Sequence, residues 1–244
     1  MLLKEKILEE AGAIIKSAGA ESAEVVVHRE STSTLRYAGS SFHQGGKETD
    51  CTAYIRVIIG RKVGVASTNS LEAPELKDCL NRALSIAGHT GKEPFDLRLP
   101  GPSEYPPVES WFERTATVTE KEKADIIAGC FKKAGARGVL HSGSLTTSEG
   151  EVAVLNSNGV SAYHPYTSAH LSAVATRGAA SGYGSAVSKD FFNIDLPGVM
   201  NNAVEDCLMG LDPAHLEPGA YRVLFSPHAV SELLEWLSYT GFGS

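Results

Sequence analysis

Asp50–Thr68 (DCTAYIRVIIGRKVGVAST) and Ser168–Ser188 (SAHLSAVATRGAASGYGSAVS) read as two copies of one unit. Each is a strand, a Gly-containing turn and a second strand, and each leads into a helix opened by Pro or Gly. Gly64 and Gly182 hold the same place in the two copies, an offset of 118 residues (182 minus 64). Solenoid repeats recur every ~20–50 residues, so this spacing specifies a duplicated α+β module and not an array.

Around the first copy the pattern is regular. Leu3, Ile7, Leu8, Ala11, Ile14, Ile15 and Ala18 fall on one helical face, Lys4, Glu5, Glu9 and Lys16 fall elsewhere, and Gly19 closes the helix. Glu24–Arg29 and Thr32–Tyr37 are expected to form a hairpin, with a further turn at Gly45-Gly46. Beyond it Cys51, Ala53, Ile55, Val57 and Ile59 alternate onto one face, of which Cys51, Ile55, Val57 and Ile59 are expected to be buried, while Thr52, Tyr54, Arg56 and Ile58 take the other. Pro74 suits the first turn of the next helix, where its missing N–H costs nothing, and Gly88 ends that helix.

Residues 92–118 change character. Pro94, Pro100, Pro102, Pro106 and Pro107 exclude both a helix and a central strand, so a stiff connector is expected, fastened to the body by Trp111 and Phe112. The second copy then opens on a capping box, Thr119-Glu120-Lys121-Glu122, and a helix carrying Ala124, Ile127, Ala128 and Phe131 on one face. Strands are expected at Gly138–Leu145, Glu151–Leu155, Ala169–Ala175 and Ser181–Val187, and a helix over Pro197–Met209. The resulting organisation is a first α/β repeat at 1–91, a connector at 92–118, a second repeat at 119–217 and a further segment at 218–244. The fold class is α+β: two-layer sandwiches with helices over one face of mostly antiparallel sheets, one continuous sheet or two being left open.

Composition excludes several functions. In 244 residues, net charge is −7 and the basic clusters are no longer than pairs such as Arg61-Lys62 and Lys132-Lys133, which is no footprint for a nucleic-acid backbone. Charged residues interrupt the apolar N-terminus, against a signal peptide, and no apolar run nears the ~20 residues of a membrane span, so a cytoplasmic protein is expected. Cys51, Cys79, Cys130 and Cys207 lie scattered without C-x-x-C spacing and read as reduced, mostly buried residues.

The duplicated unit, the segments GRKVGVASTNSLEAPELKDCLNRAL and SGYGSAVSKDFFNIDLPGVMNNAVEDCL, and the closing EPGAYRVLFSPHAVSELLEWLSYTGFGS together resemble the TldD/PmbA (TldD/TldE) family, once called modulators of DNA gyrase. The resemblance runs over essentially the whole chain. It implies a cytosolic two-subunit peptidase acting on unfolded or modified peptides. In that pair TldD carries zinc on a helix with an HExxxH motif plus a later cysteine, while PmbA/TldE lacks the motif. It further implies that this chain is an N-terminal portion ending at the start of a β-rich C-terminal domain.

The closing helix decides what chemistry carries over. Ser226 is a good N-cap and Pro227 a good first residue, and Ala229, Leu233, Trp236 and Leu237 supply an apolar face. A zinc site needs two imidazoles on one face and a carboxylate to activate water. Pro227 to Ser244 offers only His228, Glu232 and Glu235, and neither acid is flanked by histidines. No residue is therefore assigned a catalytic, cofactor-binding or metal-ligating role, and zinc is expected in an HExxxH-bearing partner.

Other constellations are weaker. His228 and Glu232, four apart, read as an exposed polar pair, and His215-Leu216-Glu217 lacks the P-C-x-x-C of the zinc deaminases. His141, His164 and His170 near Ser142, Ser144 and Asp190 could form a relay, but no G-x-S-x-G elbow frames a nucleophile. Gly178–Gly184 reads as a tight hairpin, since no Lys-Ser/Thr follows to make a phosphate cradle. Two functions result: the non-zinc subunit of a TldD/TldE-type metallopeptidase, or a peptide-binding scaffold, homo-oligomeric and without hydrolysis.

Overall fold

The computed structural model describes residues 3–242, in two compact units, Met1–Leu211 and Asp212–Ser244. The first unit contains α1 (Lys4–Ser17), β1 (Ser22–Ala38), β2 (Ser41–Ile59), β3 (Lys62–Thr68) and α2 (Ala73–His89), then the short α3 (Glu113–Ala116). It continues with α4 (Glu120–Gly135), β4 (Leu140–Asn156), β5 (Ser161–Arg177), β6 (Ala180–Ser188) and α5 (Leu196–Met209). The order α-β-β-β-α thus occurs twice, giving the α+β class expected of the duplication.

The two copies share one sheet. Its strand order is β3-β2-β1-β4-β5-β6, antiparallel throughout, with the copies joined through their first strands. The register repeats at the same offset that separates Gly64 from Gly182. Ser22 faces Ile58 as Leu140 faces Thr176, and Ala53 faces Thr68 as Leu171 faces Ala186, each residue 118 positions on. Across the join Ser31 lies opposite Glu149, its own counterpart, so a local two-fold axis passes between them.

Helices cover one face. Ile7, Ala11 and Ile14 of α1 and Leu76, Leu80 and Ala83 of α2 pack on Val25, Val27, Ala53, Ile55 and Val57. Ile127 and Cys130 of α4 and Leu196 and Met200 of α5 pack on Leu145, Leu171 and Ala173. Burying each large aliphatic side chain contributes ~1.5–3 kcal/mol, which is why the odd-numbered positions of β1, β2, β4 and β5 fix the register. Ile55 and Val57 are buried as expected and Cys51 is half-buried, but Ile59 is 42% exposed while Ile58 is buried. Ile59 sits at the strand end, opposite Lys62 and next to the Gly60 turn.

The strands are longer than the sequence suggests. Ser22–Ala38 is one strand, and the turn falls at Gly39 and Ser40, both with φ near +58° (57° and 58°), the paired left-handed geometry of a two-residue hairpin. Gly45-Gly46 lies inside β2, and Ser148–Gly150 inside β4. Both parts of the Thr119 capping box form: Glu122 N–H donates to Thr119 Oγ1 (3.2 Å) and Thr119 N–H donates to Glu122 Oε2 (2.8 Å).

The connector is ordered against the sheet, with one correction: α3 forms at its end, beyond the last proline. Asn156 Nδ2 donates to Pro100 O (2.9 Å) and Asn158 Nδ2 to Leu99 O (2.7 Å). Trp111 and Phe112 are only half-buried; Leu99 and Ser110 are the buried anchors. In the second unit the described element is α6 (Pro227–Gly241), capped by Ser226 Oγ accepting from Ala229 N–H (3.3 Å), with no buried side chain.

Candidate functional site

The repeats meet in a polar zone that sequence reading did not single out. Lys123, in the first turn of α4, has a fully buried side chain; its Nζ donates to Glu120 Oε1 (3.0 Å), to Thr147 Oγ1 (3.3 Å) and to Ser33 Oγ. Ser33 Oγ also contacts the Glu120 carboxylate. Burial pushes the Glu120 carboxyl up, but its bonds from Ser33 and Lys123 outweigh this and hold it below the usual range. The placement was readable in part, because Lys123 shares the 3.6-residue face of Ile127, Cys130 and Ala134.

At the matching place, Glu151 of β4 is buried. Its carboxylate accepts from Leu3 N–H (3.1 and 3.0 Å), Arg29 Nη1 (3.1 Å) and Tyr163 Oη (2.7 Å). Desolvation, together with this carboxylate, raises the Tyr163 hydroxyl far above its ordinary pKa. Ser33 and Glu151 are repeat counterparts, 118 positions apart, so the first helix of each copy is tied to the first strand of the other.

Beside the axis, Ser31, Ser33, Gly45, Lys47, Glu120 and Thr147 help to line a cavity of about 360 Å³. Ser31 Oγ and Thr49 Oγ1 are 2.8 Å apart, and Lys47 Nζ is 3.3 Å from Glu149 Oε1. On the opposite, helix-free face, hydroxyls pair across β1 and β4: Thr32 with Ser148 (3.1 Å) and Thr34 with Thr146 (3.2 Å). There His28 Nε2 lies 2.8 Å from Tyr166 Oη. Gly150 makes room for that tyrosine, since a Cβ there would stand 2.3 Å from Tyr166 Cζ. These groups bond to one another across the strands, and no nucleophile with a base and an oxyanion donor is assembled among them.

The relay members are not brought together. His141 is buried on the helix side, and burial holds its imidazole below the ordinary pKa, while His164 and His170 are exposed. Asp190 accepts from Arg114 and from Thr115 Oγ1 (3.3 Å) and Phe192 N–H (3.1 Å), which pins α3 to the segment after β6. The Arg114 bond holds its carboxyl below the usual range despite desolvation. His215 and Glu217 form an exposed contact of 3.4 Å. Gly178 (φ 59°) makes the β5–β6 turn, and Gly182 and Gly184 lie against α5. His228, Glu232 and Glu235 are exposed on α6, and among the described residues no three His, Cys, Asp or Glu side chains are grouped to hold a metal. The residues present thus do not fit a zinc ion.

A helix–three-strand–helix unit that occurs twice and shares one sheet, with a polar join between the copies, defines the class as a duplicated α+β protein. The profile described as "PmbA/TldA metallopeptidase domain 1" matches residues 23–87, and that of the "PmbA/TldA metallopeptidase central domain" matches residues 113–210. The chain belongs to the PmbA/TldD family.

Three solved structures show the same fold. TldE from Thermococcus kodakarensis is 18% identical, with a TM-score of 0.74 over 82% of this chain and 47% of that one. A protein of Thermotoga maritima, described as a candidate modulator of a DNA gyrase, is 19% identical, with a TM-score of 0.69 over 84% of this chain and 47% of its own. One of Bacteroides thetaiotaomicron, described in similar terms, is 18% identical, with a TM-score of 0.84 over 96% and 56%. The chain therefore spans about half the length of these proteins. No curated protein matches it in sequence. No described helix is long and apolar enough to cross a membrane.

Proposed function

We propose that the chain is the non-zinc, TldE-like subunit of a TldD/TldE-type metallopeptidase that degrades or processes unfolded or modified peptides in the cytoplasm. One observation carries the reading. Its family is described as a metallopeptidase family, yet α6 presents His228, Glu232 and Glu235 without the paired imidazoles that hold zinc. In this reading an HExxxH-bearing TldD-like partner supplies the metal, which polarises the scissile carbonyl and activates water when bound. This chain supplies sheet surface on which extended substrate is held, and strand addition gives backbone affinity with little side-chain demand, which suits unfolded substrates.

The test is zinc analysis and peptide hydrolysis on the protein purified alone and again after co-expression with an HExxxH-bearing relative. Stoichiometric zinc and hydrolysis only in the co-purified complex support the subunit reading. Zinc and hydrolysis in the protein alone overturn it. Failure of any such relative to co-purify favours a homo-oligomeric peptide-binding scaffold.

A further inference from the structure

The two-fold repetition fails at the outer edge of the second strand in each copy. In the second copy β6 pairs with residues 169–177 of β5, and the uncovered stretch before Ala169 is closed by the connector. There Thr167 N–H donates to Ser110 O (2.8 Å), Phe112 N–H donates to Thr167 Oγ1 (3.1 Å), and Ser110 Oγ donates to Pro165 O (2.7 Å). In the first copy β3 pairs only with residues 53–59 of β2. Residues 41–50 are all exposed, and among the described residues no backbone group pairs with that edge.

The counterparts of Thr167 and Pro165 are Thr49 and Lys47, each 118 positions earlier in the shared register. Since Thr167 N–H points out of the ladder, Thr49 N–H does too. The capped copy has a proline at the neighbouring outward position, with no N–H to offer, whereas the open copy has a lysine that keeps its own. Side chains at odd positions here face the cavity beside the axis, with Gly45 and Lys47 in its wall. Open donors, open acceptors and an adjoining side-chain cavity are what an added strand requires.

We propose that the free edge of β2, centred on Lys47 and Thr49, binds an extended peptide by repeating the bonds that residues 110–112 make to β5. The occupant's carbonyl accepts from Thr49 N–H. A Ser or Thr hydroxyl on that same residue donates to Lys47 O, and the N–H two residues further on donates to Thr49 Oγ1. The substrate class is thus an unfolded segment with a small hydroxyl residue at the paired position and a neighbouring side chain directed at the cavity. The proposal rests on the peptide-processing reading above and assigns it an edge.

The experiment is amide hydrogen exchange on the whole chain, with and without a synthetic peptide of residues 107–114, which carries the capping segment itself. The expected result is exchange slowed about tenfold or more at residues 45–51 on adding peptide. Thr49→Pro, which removes the outward N–H and the Oγ1 acceptor and spares the backbone ladder to β1, is expected to weaken binding about tenfold or more, the value of two hydrogen bonds, with a slightly lowered melting temperature from the lost Ser31–Thr49 contact. If that variant misfolds, the wild-type exchange pattern decides alone. Protection confined to residues 161–168, or none, overturns the proposal. So does protection at 45–51 that rises with protein concentration in the absence of peptide, because the occupant is then a second copy of this chain. Hydrolysis by the co-purified complex without protection at 45–51 sinks this proposal and leaves the subunit reading standing. Protection without hydrolysis does the reverse.

Discussion

Gly64 of β3 lies so close to Ala83 of α2 that a Cβ on the glycine would stand 1.9 Å from the alanine carbonyl oxygen; Gly182 stands in the same relation to Ala203 of α5, at 2.1 Å. A single spatial demand, helix backbone seated directly on an edge strand, therefore preserves glycine in both copies. Neither position has a positive φ, so the reason is contact and not conformation.

Gly64→Ala and Gly182→Ala are each expected to destabilise the protein by ~2–3 kcal/mol, because the obstructing atoms are helix backbone and cannot swing aside. Gly46→Ala, with nothing within 4 Å of the added methyl, is expected to be near neutral. Urea unfolding of the three variants checks this, and equal midpoints would refute the close packing of helix on strand.

The ties between copies make a second prediction. Glu151→Ala removes a buried acceptor from Leu3 N–H and Tyr163 Oη and breaks an ion pair with Arg29, so a loss of ~3 kcal/mol is expected. Lys123→Ala, at a fully buried amine, is expected to cost far more than Lys121→Ala, whose pair with Asp125 is exposed on both sides. Thermal melts of the three proteins read the order directly, and parity between the two lysines would show the Lys123 cluster to be without energetic weight.

Acid stability follows from Asp190. Its folded pKa is depressed by Arg114, so the carboxylate contributes stability that is fully present above its unfolded pKa of ~3.9 and lost as pH falls through the lower folded value. Wild type is expected to exceed Asp190→Asn in stability at neutral pH, with the gap closing below ~pH 4 as the carboxyl is protonated. Denaturant titrations across that range test the sign. A gap that widens on acidification contradicts it.

The repeat was legible because Cys51, Ala53, Ile55 and Val57 alternate where helices cover the strand, and because Gly64 and Gly182 mark the same contact twice. The full strand lengths were not. Around Glu30-Ser31, Gly45-Gly46 and Glu149-Gly150 both faces of the sheet carry hydroxyls, charges or glycine, so alternation fades and the residues imitate turns. Pairing on both flanks of β1 and β4 holds them extended regardless. The edge at Thr49 was illegible for another reason: it is an absence of pairing, visible only when the two copies are laid in one register. The ties through Ser33 and Glu151 also needed the register, since each joins groups more than 80 residues apart in sequence.

The last prediction concerns α6. Leu233, Trp236, Tyr239 and Phe242 are 57%, 71%, 74% and 77% exposed, an apolar surface of the kind that soluble proteins usually cover. The 244-residue chain by itself is therefore expected to bind a hydrophobic dye and to self-associate as concentration rises. Leu233→Ser combined with Trp236→Ser should reduce both without lowering the melting temperature, because neither side chain is buried. Dye fluorescence and light scattering on the pair of proteins decide the matter. Unchanged dye binding in the double variant would place the sticky surface elsewhere, and a lowered melting temperature would mean that the helix packs its apolar side chains in solution.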